Sequence, residues 1–206
     1  IDILVNNFDI NFGTYPYVTS SNTTAGGVCT GLGISPRAID KILGVAKAYV
    51  TRVGSGPFPT EMPPDIDEEI RQIGAEFGAT TQRPRRCGWQ DLFALRYASR
   101  LNGLTDLVVT KIDVLDHLAE IQVCVGYRKN GKQLHAFPSS LSVLEECQPI
   151  YETLPGWQQP TTEVQNYADL PSVAKDYLDY ISRFLDVPVS VVSVGPRRRQ
   201  TLTRGK

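Results

Sequence analysis

Short apolar segments of this chain alternate with amphipathic ones, and this alternation restricts the fold more than any other feature. Residues 107–111 and 189–194 form largely apolar runs of strand length, as expected for strands that are buried on both faces. Residues 90–102 and 169–185 carry apolar side chains at helical spacing. Because strands interleaved with helices are typical of α/β proteins, we expect one mixed, mostly parallel central sheet with flanking helices.

Local signals place the remaining elements. Ser35 and Pro36 are a typical helix start, with Ser at the N-cap and Pro at the first helical position. We predict that this helix is short and gives way to a strand over residues 44–52. A helix over residues 65–73 has its apolar side chains on one face, and Gly74 is expected to close it.

Residues 126–132 fit the GxxxxGK pattern of a phosphate-binding loop, but the context argues against that role. Gln133 stands where the pattern has Ser or Thr. Asn130 and Gly131 are instead the two-residue signal of a β-hairpin, and they follow the alternating strand 121–127. We therefore predict a simple turn here.

Composition limits the class of protein. With 206 residues, 41% apolar and 21% charged, the chain can bury one sizeable core, so we expect residues 1–206 to form a single globular domain. Its apolar runs are far shorter than a membrane span, and the cytoplasm is the expected location. The four cysteines form no CxxC pair, which favours reduced thiols over a zinc site or a disulfide framework.

The charge is unevenly distributed. The net charge is −1, yet residues 197–206 carry five basic side chains and no acid. Such a tail could bind nucleic acid or phosphate, but a polar tail after the last strand is more often simply solvated.

Residues 78–89 form a turn-rich segment with two threonines and with Arg83, Arg85 and Arg86 around Pro84. Guanidinium groups grip carboxylates and phosphates in bidentate fashion, and threonine hydroxyls add further donors. The segment is therefore a candidate anion-binding loop. From composition alone, a solvated basic turn is an equally good interpretation.

This loop resembles the aspartate-binding loop of adenylosuccinate synthetase, the GTP-dependent ligase that joins aspartate to inosine monophosphate (IMP) on the way to AMP. Five more segments resemble the same family, in order along the chain. They are Phe12-Gly-Thr-Tyr-Pro-Tyr-Val-Thr-Ser-Ser-Asn22, Lys47-Ala-Tyr-Val-Thr-Arg-Val-Gly-Ser-Gly-Pro-Phe-Pro-Thr-Glu61, Thr110-Lys-Ile-Asp-Val-Leu115, Tyr151-Glu-Thr-Leu-Pro-Gly-Trp157 and Ser193-Val-Gly-Pro196. The resemblance implies a part of this P-loop-related α/β fold.

The resemblance also implies a guanine site. The Asp113 carboxylate would accept the two N–H groups of the guanine edge, and the stem of Lys111 would lie along the base. The set implied for GTP is Arg85, Lys111, Ile112, Asp113, Ser193, Val194 and Gly195. Without the resemblance, the better interpretation of Asp113 is a cap for a helix that begins near Val114.

IMP and aspartate would bind on the other matched segments. Thr19 and Arg83 are implied for IMP, Thr19 at its phosphate, although a Ser- and Thr-rich surface turn is the simpler interpretation of that loop. For aspartate the implied residues are Val53, Thr80, Thr81, Arg83 and Arg85. The family also uses Mg²⁺ and acts as a homodimer, and we expect no membrane or nucleic-acid partner.

The chain departs from the family pattern in places. Gln82 stands where the family has glycine, Asn11 replaces an aspartate, and Leu4 stands in place of a glutamine that contacts IMP. The family's phosphate-binding loop and its catalytic Asp and His precede the matched region, so the resemblance implies the C-terminal half of the enzyme and no catalysis by this chain alone. The alternatives are a non-catalytic module that binds nucleic acid through its arginines and basic tail, and a structural remnant.

Overall fold

The structure is a computed structural model and describes residues 9–205. The α-helices of this part are α1 (Ala25–Leu32), α2 (Pro64–Ile73), α3 (Leu92–Asn102), α4 (Leu141–Glu145) and α5 (Ser172–Leu185). The strands are β1 (Leu43–Lys47), β2 (Val50–Arg52), β3 (Arg86–Gly88), β4 (Gln90–Asp91), β5 (Asp106–Thr110), β6 (Glu120–Lys129), β7 (Lys132–Gln133), β8 (Gln148–Pro155), β9 (Val189–Ser193) and β10 (Thr201–Thr203).

The central sheet has the strand order β1-β5-β9-β10. Strands β1, β5 and β9 are parallel, and only β10 runs antiparallel to its neighbour. Alternate residues of β5 are fully buried, with Leu107 and Val109 both at 0% exposure. Helix α5 packs its apolar face on the sheet, since Leu178 and Ile181 share one core with the strands. This confirms the predicted α/β class with a mostly parallel central sheet.

The expectation of a single sheet was wrong, because the strands pair in three separate sets. Strands β2 and β3 form an antiparallel ribbon. Strand β6 pairs with β4, β7 and β8, of which β8 follows almost its whole length. Strand β8 has no clear strand signal because Pro149 and Pro155 interrupt it. Its edge position tolerates them, since an edge strand needs fewer ladder donors.

Two predicted helices begin later than their periodicity suggests. Helix α3 starts at Leu92, because Gln90 and Asp91 are used as β4. The Asp91 carboxylate caps the helix by accepting the Ala94 N–H at 2.9 Å. Helix α5 starts at Ser172, directly after Pro171, since the residue before a proline is disfavoured in helical geometry.

The segment around Ser35 is shorter than predicted. The Ser35 hydroxyl accepts the Arg37 N–H, but only one 3₁₀ turn, Pro36–Ala38, forms. The predicted strand 44–52 is divided into β1 and β2, because the chain leaves the sheet at Ala48. The Ala48 carbonyl accepts the buried Tyr177 hydroxyl at 2.6 Å, which fixes this corner on α5.

Helix α1 was not predicted, and Gly26 and Gly27 lie inside it rather than in a loop. The Asn102 side chain accepts the Ala25 N–H at 2.7 Å, and Gly33 closes the helix with φ of 66°. A tertiary contact from α3 therefore stabilises a segment with weak helix propensity.

Two further predictions concern turns and the tail. The hairpin is confirmed, since Lys129 pairs with Lys132 and both Asn130 and Gly131 have positive φ. The tail is not simply solvated, because β10 pairs with β9 and the Arg204 guanidinium forms an ion pair with Asp179 at 2.6 Å. All four cysteines, Cys29, Cys87, Cys124 and Cys147, are free thiols.

Among residues 9–205, no helix is both long and apolar enough to cross a bilayer. The predictions made for residues 1–8, including Leu4, lie outside the described residues.

Candidate functional site

An open groove lies at the carboxyl ends of β5 and β9, where open α/β sheets commonly bind ligands. Its empty volume, open mouth included, is about 1070 Å³. The groove brings together Lys111, Asp113, Ser193 and Gly195, which the sequence placed in one site although they are far apart in the chain. Residues 73–75, at the end of α2, form its third wall.

Asp113 is the residue of the groove with an unmet bonding requirement. Its Oδ1 atom is buried and has no hydrogen-bond partner among residues 9–205. Burial raises the pKa of Asp113, and the neighbouring Asp116 adds to that effect. The cap interpretation is wrong, because Asp113 lies inside the 3₁₀ turn Ile112–Leu115 and Lys111 occupies its N-cap position. Asp113 as a whole is half-buried and lines the groove, so a ligand in the groove can reach this residue.

Lys111 also lines the groove and has the left-handed φ of 61°. Its ammonium group is turned to the interior, where it contacts Glu76 Oε1 at 2.9 Å and the Gly74 carbonyl.

The β9 side of the groove presents main chain. Ser193 Oγ donates to the Gly195 carbonyl at 2.8 Å. A Cβ atom at Gly195 would lie 2.5 Å from the end of the Gln200 side chain, which would have to shift to make room for it. Val194 and Ile112 are 0% exposed and do not line the groove, so the structure buries these two implied residues behind its walls.

The arginine loop is a tight hairpin rather than an irregular coil. Gly78 N–H donates to the Arg83 carbonyl, Gln82 N–H donates to the Gly78 carbonyl, and Arg85 N–H donates to the Glu76 carbonyl, each at 2.9 Å. Thr80, Thr81 and Arg83 are exposed at its tip. The predicted anion-binding groups are therefore exposed at the tip of a hairpin whose base is closed by backbone hydrogen bonds.

Gln82 has φ of 52°, in the left-handed region that glycine adopts without strain. We expect Gln82→Gly to raise the free energy of unfolding by about 0.5–1 kcal/mol, because a side chain in this region carries a strain that glycine avoids. Urea denaturation measures this change. Gln82→Ala is the control, since it removes the side-chain amide but keeps the strain. A glycine variant no more stable than the alanine variant would contradict the expectation.

Glu76 organises this region, although no sequence pattern predicted a role for it. Its carboxylate is 0% exposed and accepts hydrogen bonds from Lys47, Tyr49, Arg85 and Lys111. We call this group the Glu76 junction. Its partners lie as far as 35 residues away in the chain, so no local motif shows it. The one available signal was that Glu76 is the only acid in residues 70–90, next to the arginine run.

The Glu76 junction predicts a loss of stability in acid. Burial alone would raise the pKa of Glu76, but hydrogen bonds from Lys47, Tyr49 and Lys111 outweigh it and lower the pKa from 4.5 to about 2. The stabilisation is thus complete above pH 4.5 and is lost as the pH falls through about 2. We expect the difference in unfolding free energy between the wild type and Glu76→Gln to shrink by about 3 kcal/mol across that window. Urea titrations at several pH values test this, and a constant difference would contradict it.

Thr19 and Val53 are exposed and lie on loops that are tied together. The buried Arg52, next to Val53, donates to Thr14 Oγ1 at 3.2 Å and to the Ser55 carbonyl at 3.2 Å. The loop that carries Thr19 therefore lies against the loop that carries Val53. Val53 itself is 48% exposed, so it is free to pack on a ligand.

Two of the three arginines of the loop segment already have acidic partners. Arg85 Nη1 is 2.9 Å from Glu76 Oε2. Arg86 is bound to Glu61 through Nε at 2.5 Å and stacks over the Phe58 ring. Arg83 is the exposed one.

A second, more enclosed cavity lies between β1 and β2, the loop 57–60 and α3. Asp91 lines it, and burial raises the pKa of that carboxyl to about 6 although Tyr127 donates to it. None of the residues implied for GTP, IMP or aspartate lines this cavity.

No group of three or more His, Cys, Asp or Glu side chains within residues 9–205 is placed to hold a metal ion.

Comparisons with known proteins show the family of the chain. The family model of adenylosuccinate synthetase matches residues 6–202. The adenylosuccinate synthetase of Yarrowia lipolytica is 58% identical over 196 residues, which are 95% of this chain and 46% of that relative. The one from Halothermothrix orenii is 52% identical over 198 residues, with 96% and 46% covered.

A solved structure, the fully ligated adenylosuccinate synthetase from Plasmodium falciparum, superimposes with a TM-score of 0.94 at 41% identity. It covers 97% of this chain, and this chain covers 48% of it. A cyanophage S-2L succinoaminodeoxyadenylate synthetase resembles the chain in fold alone, at a TM-score of 0.54 and 17% identity. The chain spans about half the length of the curated relatives it matches, and it belongs to the adenylosuccinate synthetase family.

Proposed function

We propose that this chain is the guanine-nucleotide- and aspartate-binding half of a GTP-dependent ligase that joins L-aspartate to IMP. One observation carries the proposal most directly. Within the described part of the chain, the buried Asp113 Oδ1 atom lacks a hydrogen-bond partner, and Asp113 lines a groove that also contains Lys111, Ser193 and Gly195. An orphaned buried acceptor is costly, and a ligand that donates to it removes the cost.

The groove chemistry favours guanine. An ionised carboxylate only accepts hydrogen bonds, and guanine presents two adjacent donors, N1–H and the exocyclic amino group. Adenine has an acceptor at N1 and would leave one carboxylate oxygen unpaired. Ser193 and Gly195 would contact one side of the base and Lys111 the other, with Val194 and Ile112 buried behind them. Arg85 would stand on the GTP side of the arginine loop.

The arginine loop would bind the second substrate. Its exposed donors at Thr80, Thr81 and Arg83 suit a dicarboxylate such as aspartate, and Val53 offers an exposed apolar contact. Arg83 would also approach the IMP ribose, and Thr19 the IMP phosphate. These residues bind and orient, and positioning accounts for much of the rate in phosphoryl transfer.

In the proposed reaction, GTP phosphorylates the IMP 6-oxygen, and the aspartate amine then displaces phosphate at C6 to give adenylosuccinate. The described residues supply no proton-transfer pair for these steps in our assignment. They also do not fit a Mg²⁺ site, since both candidate sites are lined by cations and hold no acidic cluster. We therefore place Mg²⁺ on the nucleotide phosphates, and we propose a cytoplasmic homodimer for the whole enzyme.

Nucleic-acid binding is the competing function, and the ion pairs disfavour it. Arg86 and Arg204 each form an ion pair with an acid of their own, and Arg85 shares Glu76 with two lysines, which reduces the positive surface that such a module needs.

Calorimetric titration with GDP and with ADP separates the two functions. We expect GDP to bind at least about tenfold more tightly than ADP, because adenine leaves Asp113 unsatisfied. Base-independent binding that falls steeply with added salt would support the nucleic-acid function instead.

A further inference from the structure

We propose that Glu76 is a positioning residue that couples the guanine groove to the arginine loop. This inference rests on the proposed function for its ligands, but the contacts themselves are independent of it. Glu76 is fully buried and does not line the groove, so it would act on a ligand only through the side chains that it holds.

The two carboxylate oxygens serve different sites. Oε1 accepts from Lys111 of the groove at 2.9 Å, and Oε2 accepts from Arg85 of the loop at 2.9 Å. Lys47 bridges both oxygens at 2.8 Å. One negative charge therefore holds together cations that would otherwise repel one another.

The backbone connects the same two sites. Gly74 and Ala75 form part of the groove wall, and Glu76 follows at once. The Glu76 carbonyl accepts the Arg85 N–H, which closes the base of the hairpin at 2.9 Å. A displacement of Lys111 or of the groove wall should therefore also displace the loop.

The residues that connect the groove wall to the Glu76 junction are closely packed. A Cβ atom on Gly74 would lie 2.4 Å from Tyr49 Oη and 3.3 Å from Glu76 Cγ. The Tyr49 hydroxyl, in turn, donates to Glu76 Oε1 at 2.6 Å. Because packed groups of this kind move together or not at all, the junction can transmit a change in one site to the other.

A double-mutant cycle on the ligand-free chain tests the coupling. We expect Lys111→Met to speed hydrogen exchange at the Gly78, Gln82 and Arg85 amides by about threefold or more. In the Glu76→Gln background the same change should have no further effect, because the connection is already broken. The hydrogen-exchange rates of the amides in α5 serve as the internal reference, because they report any change in global stability.

Tyr49→Phe is the matched control. It removes one neutral hydrogen bond to the same carboxylate oxygen but leaves Lys111 and Arg85 on Glu76, so the effect of Lys111→Met should persist. If Glu76→Gln does not fold, the cycle is run with Lys111→Met and Arg85→Gln. These two side chains both act through Glu76, so their effects should not multiply.

The inference would be overturned if the two substitutions changed the exchange rates of the loop amides independently, so that their factors multiply. It would also be overturned if Lys111→Met left those rates unchanged. A second arm adds GDP. We expect GDP to slow exchange in residues 78–85 of the wild type, but to bind Glu76→Gln without this protection. Failure of GDP to bind the wild type would refute the proposed function alone, since the ligand-free cycle still decides the coupling.

Discussion

The isolated chain should form no adenylosuccinate when mixed with IMP, aspartate, GTP and Mg²⁺. Among residues 9–205, neither histidine lies in a candidate site: His117 contacts Glu69 of α2, and His135 is exposed after the hairpin. General acid–base groups contribute about 10²–10⁴-fold each, so a chain without a positioned pair should show no measurable turnover.

Absorbance at the wavelength of adenylosuccinate formation measures this directly. The full-length Yarrowia lipolytica relative is the positive control, and a mock purification excludes a contaminating host enzyme. Sustained turnover by the pure chain would mean that its residues contain a catalytic site outside the groove and the loop.

Replacing Asp113 with Asn should change base preference. The substitution exchanges one acceptor for a donor facing the guanine edge, so GDP affinity should fall by about 1–3 kcal/mol. The diphosphate of xanthosine carries a carbonyl where guanine has its amino group, so it should bind the variant more tightly than the wild type.

Asp106→Asn is the matched control, because Asp106 begins strand β5 whereas Asp113 follows the other end of that strand. It should leave the affinities for both nucleotides unchanged, as measured by calorimetry. If Asp113→Asn binds GDP as the wild type does, the buried carboxylate has only a structural role.

Sequence patterns predicted the elements whose stability is local. The amphipathic helices α3 and α5 and the hairpin at Asn130 and Gly131 are present, because apolar period and turn chemistry act within a few residues. Helix α1 and strand β8 were missed for the opposite reason. An Asn102 side chain 77 residues away caps the first, and pairing with β6 secures the second despite its prolines.

The residues of the candidate site also divide into those that sequence motifs predicted and those that only distant contacts define. Resemblance to the family brought Lys111, Asp113, Ser193 and Gly195 into one expected site, and the structure places them in one groove. Glu76 carries no motif of its own, because its role depends on Lys47 and Lys111, which are 29 and 35 residues away. Contacts of this range appear only once the chain is folded.

A crystal structure of the chain with GDP tests the central claim most directly. We expect the guanine base in the groove between β5 and β9, with N1 and the exocyclic nitrogen about 2.7–3.2 Å from the Asp113 carboxylate oxygens. The phosphates should extend toward the arginine loop. A base bound elsewhere, or a groove that stays empty while GDP occupies the loop, would contradict the assignment of Asp113 as the guanine-reading residue.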